Sequence, residues 1–214
     1  MSKVVKFGGS SLASAEQFKK VGDIIKSEES RRYVVPSAPG KRYSGDTKVT
    51  DLLYACYDKA TAGADFTGIL NEIKERFYMD LEFGTAGLRG VEEFRQIEAD
   101  FKAQAGTEYA ASRGEFLNGK VMAAYLGYEF VDAATVIRFD KNGNFDADKT
   151  DRLLSKRLQK CEKAVIPGFY GGMEDGTVKT FSRGGSDVTG SLVAKAIHAD
   201  LYENWTDVSG FLVT

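Results

Sequence analysis

Two short glycine-rich segments combine the residue types that a protein needs to hold a phosphate. The first, residues 6–11 (KFGGSS), follows an apolar pair, and the second, residues 183–187 (RGGSD), opens a helical pattern. Glycine lets an anion approach the backbone closely, and the N–H groups at a helix N-terminus point toward it. Each segment also carries a cation, Lys6 or Arg183. The pairing of the two segments indicates a phosphoryl-transfer enzyme.

Each segment has a simpler explanation when it is taken alone. The first lacks the G-x-x-x-x-G-K-[ST] spacing of a Walker A loop, and it could be a plain turn from strand to helix. Lys6 at the end of that strand could instead reach a phosphate as a compact point charge. Arg183 could grip a carboxylate or a phosphate, and Asp187 could orient a lysine or bind magnesium through water. Alternatively, Ser186 or Asp187 only caps a helix.

A third candidate is Glu115, in the segment 112–115 (SRGE) that is predicted to begin another helix. Its carboxylate could hold the ammonium group of a substrate. The alternative is that a glutamate in the first turn merely complements the helix macrodipole.

The elements that must position these residues alternate between strands and helices. An S-x-x-Q capping box at residues 14–17 precedes an apolar stripe at helical spacing. Strands are predicted at residues 4–7, 33–36, 130–132, 135–137, 164–167 and 201–205, and helices near 14–25, 47–61, 147–160 and 183–197, with 66–126 mostly helical and a glycine-rich hairpin after 169. This order predicts an α/β fold, a three-layer α/β/α sandwich with a mainly parallel central sheet. The substrate should bind beyond the carboxyl ends of the strands.

Composition narrows the function classes. The 214 residues are 43% hydrophobic and 28% charged, and the net charge of −2 gives no electrostatic case for a nucleic-acid or membrane partner. No apolar run approaches the ~20 residues that span a bilayer, and no signal-peptide core follows the N-terminus, so a cytoplasmic location is expected. Cys56 and Cys161 are predicted to be buried free thiols. A zinc site would have few candidate ligands, namely these two isolated cysteines and the single His198, which is expected to be structural.

Six segments occur in one order along the whole chain: residues 4–11, 34–40 with 50–51, 112–115, 166–169, 182–187 and 205–208. Together they resemble the aspartate kinases of the amino-acid kinase family. The resemblance implies ATP-dependent phosphorylation of the side-chain carboxylate of L-aspartate, giving 4-phospho-L-aspartate, the first step toward lysine, threonine and methionine. Mg²⁺ would bind through the ATP phosphates, and no protein metal site is expected.

The resemblance also implies roles for individual residues. Lys6 would stabilise the transferring phosphoryl group, and Asp187 would organise Lys6 and the metal–phosphate geometry. Glu115 would bind the aspartate ammonium and Arg183 its α-carboxylate. The remaining implied residues are Gly8, Gly9 and Ser10 on the phosphate oxygens, Ser37, Thr50 and Ser186 in the acceptor site, and Thr206 and Asp207 at the start of the nucleotide site.

Two features depart from the family pattern. Family members continue past residue 208 into the rest of the nucleotide lobe and then regulatory ACT domains. The chain is therefore expected to be an incomplete catalytic domain, with an acceptor lobe over about 1–200, the start of the nucleotide lobe over 201–214, and little kinase activity alone. Homo-oligomers are expected for the full-length family. The second departure, residues 81–90 (LEFGTAGLRG), resembles the opening motif of phosphohexomutases, but their T-A-S-H serine loop is absent, so a loop between helices is favoured.

Three alternatives to aspartate phosphorylation stay open. Within the same fold the acceptor could be glutamate, carbamate or a nucleoside monophosphate, although Glu115 and Arg183 favour an acceptor with both an ammonium and a carboxylate. The chain could also be a non-catalytic module that binds the amino acid or a partner. A hexose phosphate mutase is the third.

Overall fold

The computed structural model describes residues 1–78, 91–182 and 184–206. Within these residues, five strands form one sheet in the order β3-β4-β2-β1-β7, and every neighbouring pair is parallel. Two further strands, β5 and β6, form an antiparallel hairpin. The strands are β1 (Lys3–Phe7), β2 (Arg31–Pro36), β3 (Glu129–Phe130), β4 (Ala164–Val165), β5 (Tyr170–Gly172), β6 (Val178–Thr180) and β7 (Leu201–Trp205).

Helices cover both faces of this sheet. A short 3-10 helix, Gly9–Leu12, follows β1. The α-helices are α1 (Ala15–Lys26), α2 (Val49–Thr61), α3 (Thr67–Tyr78), α4 (Val91–Lys102), α5 (Thr107–Leu126), α6 (Ala133–Val136), α7 (Ala147–Leu158) and α8 (Gly185–Ala196). Ser14 caps α1 as the pattern at residues 14–17 predicted, because its side chain accepts a hydrogen bond from the Gln17 N–H and α1 begins at the next residue.

Alternation along the central strands creates two separate cores. Val5 and Val34 point to one face, where they pack with apolar residues of α1 to α5. Val4 and Val35 point to the other face and pack with residues of α6 to α8. Since strand side chains alternate between faces, an unbroken apolar strand is buried on both sides. The predicted three-layer α/β/α sandwich is confirmed.

Two local predictions were wrong. Residues 135–137, predicted as a strand, instead belong to α6 and its end; Asp132 caps this short helix by accepting a hydrogen bond from the Ala134 N–H. A short apolar run fits either structure by its pattern alone, and the cap decides for the helix. The segment 112–115 does not begin a helix either, because it lies in the middle of α5, where Gly114 lets Ala38 approach closely.

Other predictions have simpler outcomes. Cys56 and Cys161 are buried free thiols, as predicted. His198 lies beyond the end of α8 rather than within it, exposed and with a left-handed φ of 49°. None of the described helices is long and apolar enough to cross a membrane. The glycine-rich residues 81–90 lie outside the described residues.

Candidate active site

A cleft of about 440 Å³ opens where the carboxyl ends of β1 and β2 meet the N-terminus of α8. In a parallel sheet these strand ends lie on one edge, which is where such folds place ligands. The structure therefore brings the first glycine-rich segment together with residues 184–187, which are the part of the second segment that the structure describes. The described residues that line the cleft are Lys6, Gly8, Gly9, Ser37, Phe169, Ser182, Gly184, Gly185, Ser186 and Asp187.

Lys6 and Asp187 form the charged centre of this cleft. The Lys6 Nζ lies 2.9 Å from the Asp187 Oδ1, and Lys6 is only 8% exposed although its ammonium lines the cleft. The Asp187 side chain is 47% exposed, so it remains open to a ligand. The helix start at Gly184 has no side-chain cap, and the Asp187 carboxylate bonds instead to groups outside α8. The contact of Asp187 with Lys6 therefore goes beyond capping.

Asn204 holds Asp187 from the neighbouring strand. Asn204 in β7 is in register with Lys6 in β1, and its Nδ2 donates to the Asp187 Oδ1 at 3.1 Å. Its other amide atom, Oδ1, is buried without a hydrogen-bond partner in the described structure. Sequence reasoning missed Asn204, because its neighbours in β7 are exposed or half-buried and include Glu203, so a polar residue there gives no local signal.

The first glycine turn is shaped by contact with the loop after β2. The Gly40 N–H donates to the Gly9 carbonyl at 2.8 Å, and a Cβ on Gly9 would lie 2.7 Å from the Ala38 carbonyl oxygen. Only glycine permits this approach without moving a backbone. On its other side, the Gly8 N–H donates to the Trp205 carbonyl at 3.2 Å. The turn is thus clamped between the loop after β2 and the end of β7.

The second turn begins with Gly184 in the left-handed conformation, at a φ of 75°. Gly185 packs so closely on Phe169 that a Cβ there would lie 2.8 Å from the ring. Ser186 contacts Gly168 in the same way, since a Cβ on Gly168 would lie 2.5 Å from the Ser186 Oγ. The start of α8 is therefore fixed against the loop after β4. Arg183 lies outside the described residues.

Glu115 is buried in the middle of α5 rather than exposed in a first turn, so the macrodipole explanation is wrong. Burial raises the pKa of Glu115 to about 8, while a hydrogen bond from the Ala38 backbone acts in the opposite direction. Its Oε2 has no hydrogen-bond partner in the described structure. A buried acceptor without a partner is costly, and a cationic ligand would satisfy it.

Asn118 lies one turn after Glu115 on the same helix, and sequence reasoning missed it. Its Nδ2 donates to the Ser37 carbonyl at 2.7 Å, while its Oδ1 has no partner in the described structure. Residues three apart share a helix face, so the spacing from Glu115 was the available signal. In the peptide unit that joins Ser37 to Ala38, Asn118 thus hydrogen-bonds to the carbonyl and Glu115 to the N–H.

The remaining predicted site residues lie away from the wall of the cleft or outside the described residues. Ser10 is exposed in the 3-10 helix, Thr50 is half-buried in the first turn of α2, and Thr206 follows β7. Asp207 lies outside the described residues. In the parts of the chain that the structure describes, no three His, Cys, Asp or Glu side chains are grouped to hold a metal ion.

Comparisons with known proteins show which proteins this chain resembles. The model of the family described as "Amino acid kinase family" matches residues 1–214. Aspartokinase 3 of Bacillus subtilis is 40% identical over 96% of this chain and 48% of its own length. The lysine-sensitive aspartokinase 3 of Escherichia coli is 26% identical over 100% of this chain and 51% of its own length.

Solved structures give the same result. Aspartate kinase of Clostridium acetobutylicum superposes with a TM-score of 0.94 at 50% identity, covering 98% of this chain and 48% of that one. E. coli aspartokinase III in complex with aspartate and ADP superposes with a TM-score of 0.81 at 27% identity, covering 98% and 50%. The resemblance found in the sequence motifs is confirmed. The chain spans about half the length of the relatives it matches.

Proposed function

Because the chain belongs to the amino-acid kinase family, we propose that its site serves the ATP-dependent phosphorylation of the side-chain carboxylate of L-aspartate. The product would be 4-phospho-L-aspartate. The observation that carries the proposal is the Lys6–Asp187 pair, which lies in the cleft beside the glycine turn and the start of α8. The aspartate and ADP in the E. coli structure support the same pair of substrates here.

The acceptor would be recognised through its two charged main-chain groups. Glu115 would bind the ammonium, and its unpartnered Oε2 is the feature that supports this role. Arg183 would bind the α-carboxylate, since a guanidinium grips a carboxylate through two parallel hydrogen bonds. Ser37, Thr50 and Ser186 would complete the acceptor site.

The phosphoryl group would be held from the other side of the cleft. Lys6 would neutralise charge on the transferring group, and Gly8, Gly9 and Ser10 would contact phosphate oxygens. Asp187 would keep Lys6 in place, and Thr206 and Asp207 would begin the nucleotide site. Mg²⁺ would enter with ATP on its phosphates.

This residue set suits a reaction that needs no general base. The side-chain carboxylate of aspartate has a pKa near ~3.9, so the attacking oxygen is already ionised at neutral pH. Catalysis then consists of in-line positioning and charge neutralisation, which a lysine and glycine turns can supply. A cytoplasmic location and a homo-oligomeric full-length protein belong to the same proposal.

The test is coupled ADP release by a completed chain, in which residues 1–214 are joined to the C-terminal half of an aspartokinase relative, since the chain alone is expected to have little kinase activity. Mg-ATP is supplied with, in turn, L-aspartate, L-glutamate, carbamate and a nucleoside monophosphate. We expect release with aspartate, and a turnover about 10²–10³ times lower in Lys6→Met with aspartate binding retained in calorimetry. Lys20→Met, on the exposed face of α1, is the matched control and should behave like the wild type.

Three results would contradict the proposal. One is a preference for another acceptor, and a second is normal turnover in Lys6→Met. The third is binding of aspartate without binding of ATP, which would identify a non-catalytic amino-acid-binding module.

A further inference from the structure

We propose that Arg76 and Asp46 are positioning residues that hold the acceptor loop, residues 37–48, against the phosphate turn, residues 6–11. The inference rests on the proposed function for its kinetic consequence, but its structural part stands on contacts alone. Arg76 lies in the last turn of α3, outside the cleft described above.

The Arg76 side chain hydrogen-bonds to three residues of the acceptor loop. Its Nη1 donates to the Asp46 Oδ2 at 3.1 Å and to the Thr47 carbonyl at 3.1 Å, and its Nη2 donates to the Gly40 carbonyl at 2.7 Å. Arg76 is only 2% exposed, so these bonds form away from solvent. A planar guanidinium with fixed donors imposes one geometry on the groups that it joins.

Asp46 completes the arrangement from within the loop. It is 6% exposed and accepts hydrogen bonds from the Arg42 backbone N–H and from the Arg42 side chain, each at 2.9 Å. These bonds hold the pKa of Asp46 well below its usual range. Asp46 is therefore ionised at neutral pH, so the buried guanidinium of Arg76 has a negatively charged partner. Removing Arg76 would leave the Asp46 carboxylate with Arg42, and it would take a donor from the Gly40 and Thr47 carbonyls.

The arrangement reaches the phosphate turn through Gly40. The Gly40 carbonyl accepts from Arg76, while the Gly40 N–H donates to the Gly9 carbonyl at 2.8 Å. The two glycines are in backbone contact, since a Cβ on Gly40 would lie 2.7 Å from the Gly9 carbonyl carbon. Two successive hydrogen bonds thus connect α3 to a residue that lines the cleft.

A shift of this loop would move both substrates' contacts together. Ser37 lies at its start and is anchored by its N–H on the Phe7 carbonyl at 3.1 Å. Gly9, in the phosphate turn, is held by the hydrogen bond from the Gly40 N–H in the middle of the loop. Because a misplacement of about 1 Å can cost about 10²-fold in rate, loosening Gly40 should slow phosphoryl transfer more than it weakens binding.

The test compares Arg76→Met and Arg76→Lys with a control, Arg138→Met, and measures their kinetics in the completed chain described above. Arg138 also donates to two backbone carbonyls, those of Ala134 and Met173, but it lies away from the acceptor loop. We expect Arg76→Met to lower kcat for aspartate about 10²-fold with a much smaller change in KM. Arg76→Lys should recover part of this loss, since one ammonium can bond to Gly40 or Asp46. Arg138→Met should lower the Tm and leave kcat near the wild-type value.

Hydrogen exchange measured by NMR provides the second readout. The Gly40 amide should exchange faster in Arg76→Met than in the wild type, and no faster in Arg138→Met. Equal Gly40 exchange in the wild type and Arg76→Met would overturn the inference, as would a kcat no lower than that of Arg138→Met. If the completed wild-type chain shows no acceptor-dependent ADP release, the proposed function fails, and the exchange measurement still decides the role of Arg76.

Discussion

Single residues of this site differ in how their charges are compensated. The Lys6 ammonium is paired with Asp187 at 2.9 Å at the edge of the cleft. Glu115 is buried in α5 with one oxygen unpartnered, and burial raises its pKa to about 8. Burial disfavours an ionised carboxylate unless an opposite charge arrives. Glu115 is thus costly to the free protein when it is ionised, and it is suited to a cationic ligand.

Glu115→Gln should change the pH dependence of stability. The pKa of Glu115 is higher in the folded chain than its ordinary value of 4.5, so the folded state binds the proton more tightly. This contribution to the free energy of unfolding is present below about pH 4.5 and is lost as the pH rises to about 8. Glutamine stays neutral, so the variant should be more stable than the wild type by a few kcal/mol near pH 9.

Urea unfolding at pH 5, 7 and 9 measures this difference, with the exposed Glu162→Gln as the control. The same Glu115→Gln variant should bind aspartate about 10²-fold more weakly, because no carboxylate meets the ammonium. A variant with the wild-type pH dependence would show that Glu115 is not the titrating group.

At the scale of elements, the site depends on how closely the turns approach one another. Gly9 and Gly40 touch through their backbones, and Gly168 and Gly185 hold the start of α8 against the loop after β4. None of these four glycines has a left-handed φ. Glycine is needed at these positions because it has no side chain, and turns that follow different strands can therefore line one small cleft.

Gly9→Ala should therefore be destabilising, whereas Gly68→Ala should be tolerated. The new Cβ at Gly9 would lie 2.7 Å from the Ala38 carbonyl oxygen, which must move at a cost of about 1–3 kcal/mol. Gly68, in α3, has nothing within 4 Å of its Cβ position, and alanine there should add up to about 1 kcal/mol. Thermal unfolding of the two variants gives the comparison. Equal stability of Gly9→Ala and the wild type would show that the two turns separate at no cost.

For these elements, the sequence predicted the features that depend only on residues close together along the chain. The strand ending at Lys6-Phe7, the glycine turn and the cap at Ser14 are each defined by neighbouring residues, and all three were predicted. The start of α5 was misplaced, because Gly114 serves a contact with Ala38, which is distant along the chain. Asn118 and Asn204 were missed for a related reason, since their partners Ser37 and Asp187 are fixed only by the fold.

At the scale of the whole molecule, β2 joins the two cores. Val34 and Val35 are adjacent and fully buried, yet Val34 packs with the layer of α1 to α5 and Val35 with the layer of α6 to α8. Under the proposed function, the reaction would draw on both layers, because Glu115 comes from α5 and Asp187 from α8. If the layers opened independently, the acceptor-binding Glu115 and the Lys6–Asp187 pair would not keep a fixed distance.

Val34→Ala and Val35→Ala test whether the layers unfold as one unit. Each substitution should lower the free energy of unfolding by about 2 kcal/mol, since it removes two buried carbons and leaves a cavity. Trp205, the single tryptophan, packs against the Val34 layer and stacks on Phe7 with ring centroids 6.0 Å apart. Its fluorescence therefore reports on that layer, while far-UV circular dichroism reports on all the helices.

The decisive variant is Val35→Ala, whose cavity lies in the layer opposite to Trp205. A cooperative molecule must lower the urea midpoint of Trp205 fluorescence and of circular dichroism by the same amount. Val188→Ala, on the exposed side of α8, should leave both midpoints in place. A Trp205 midpoint that stays at the wild-type value in Val35→Ala would mean that the layers unfold separately. The sheet would then not be what keeps Glu115 and Asp187 at a fixed separation.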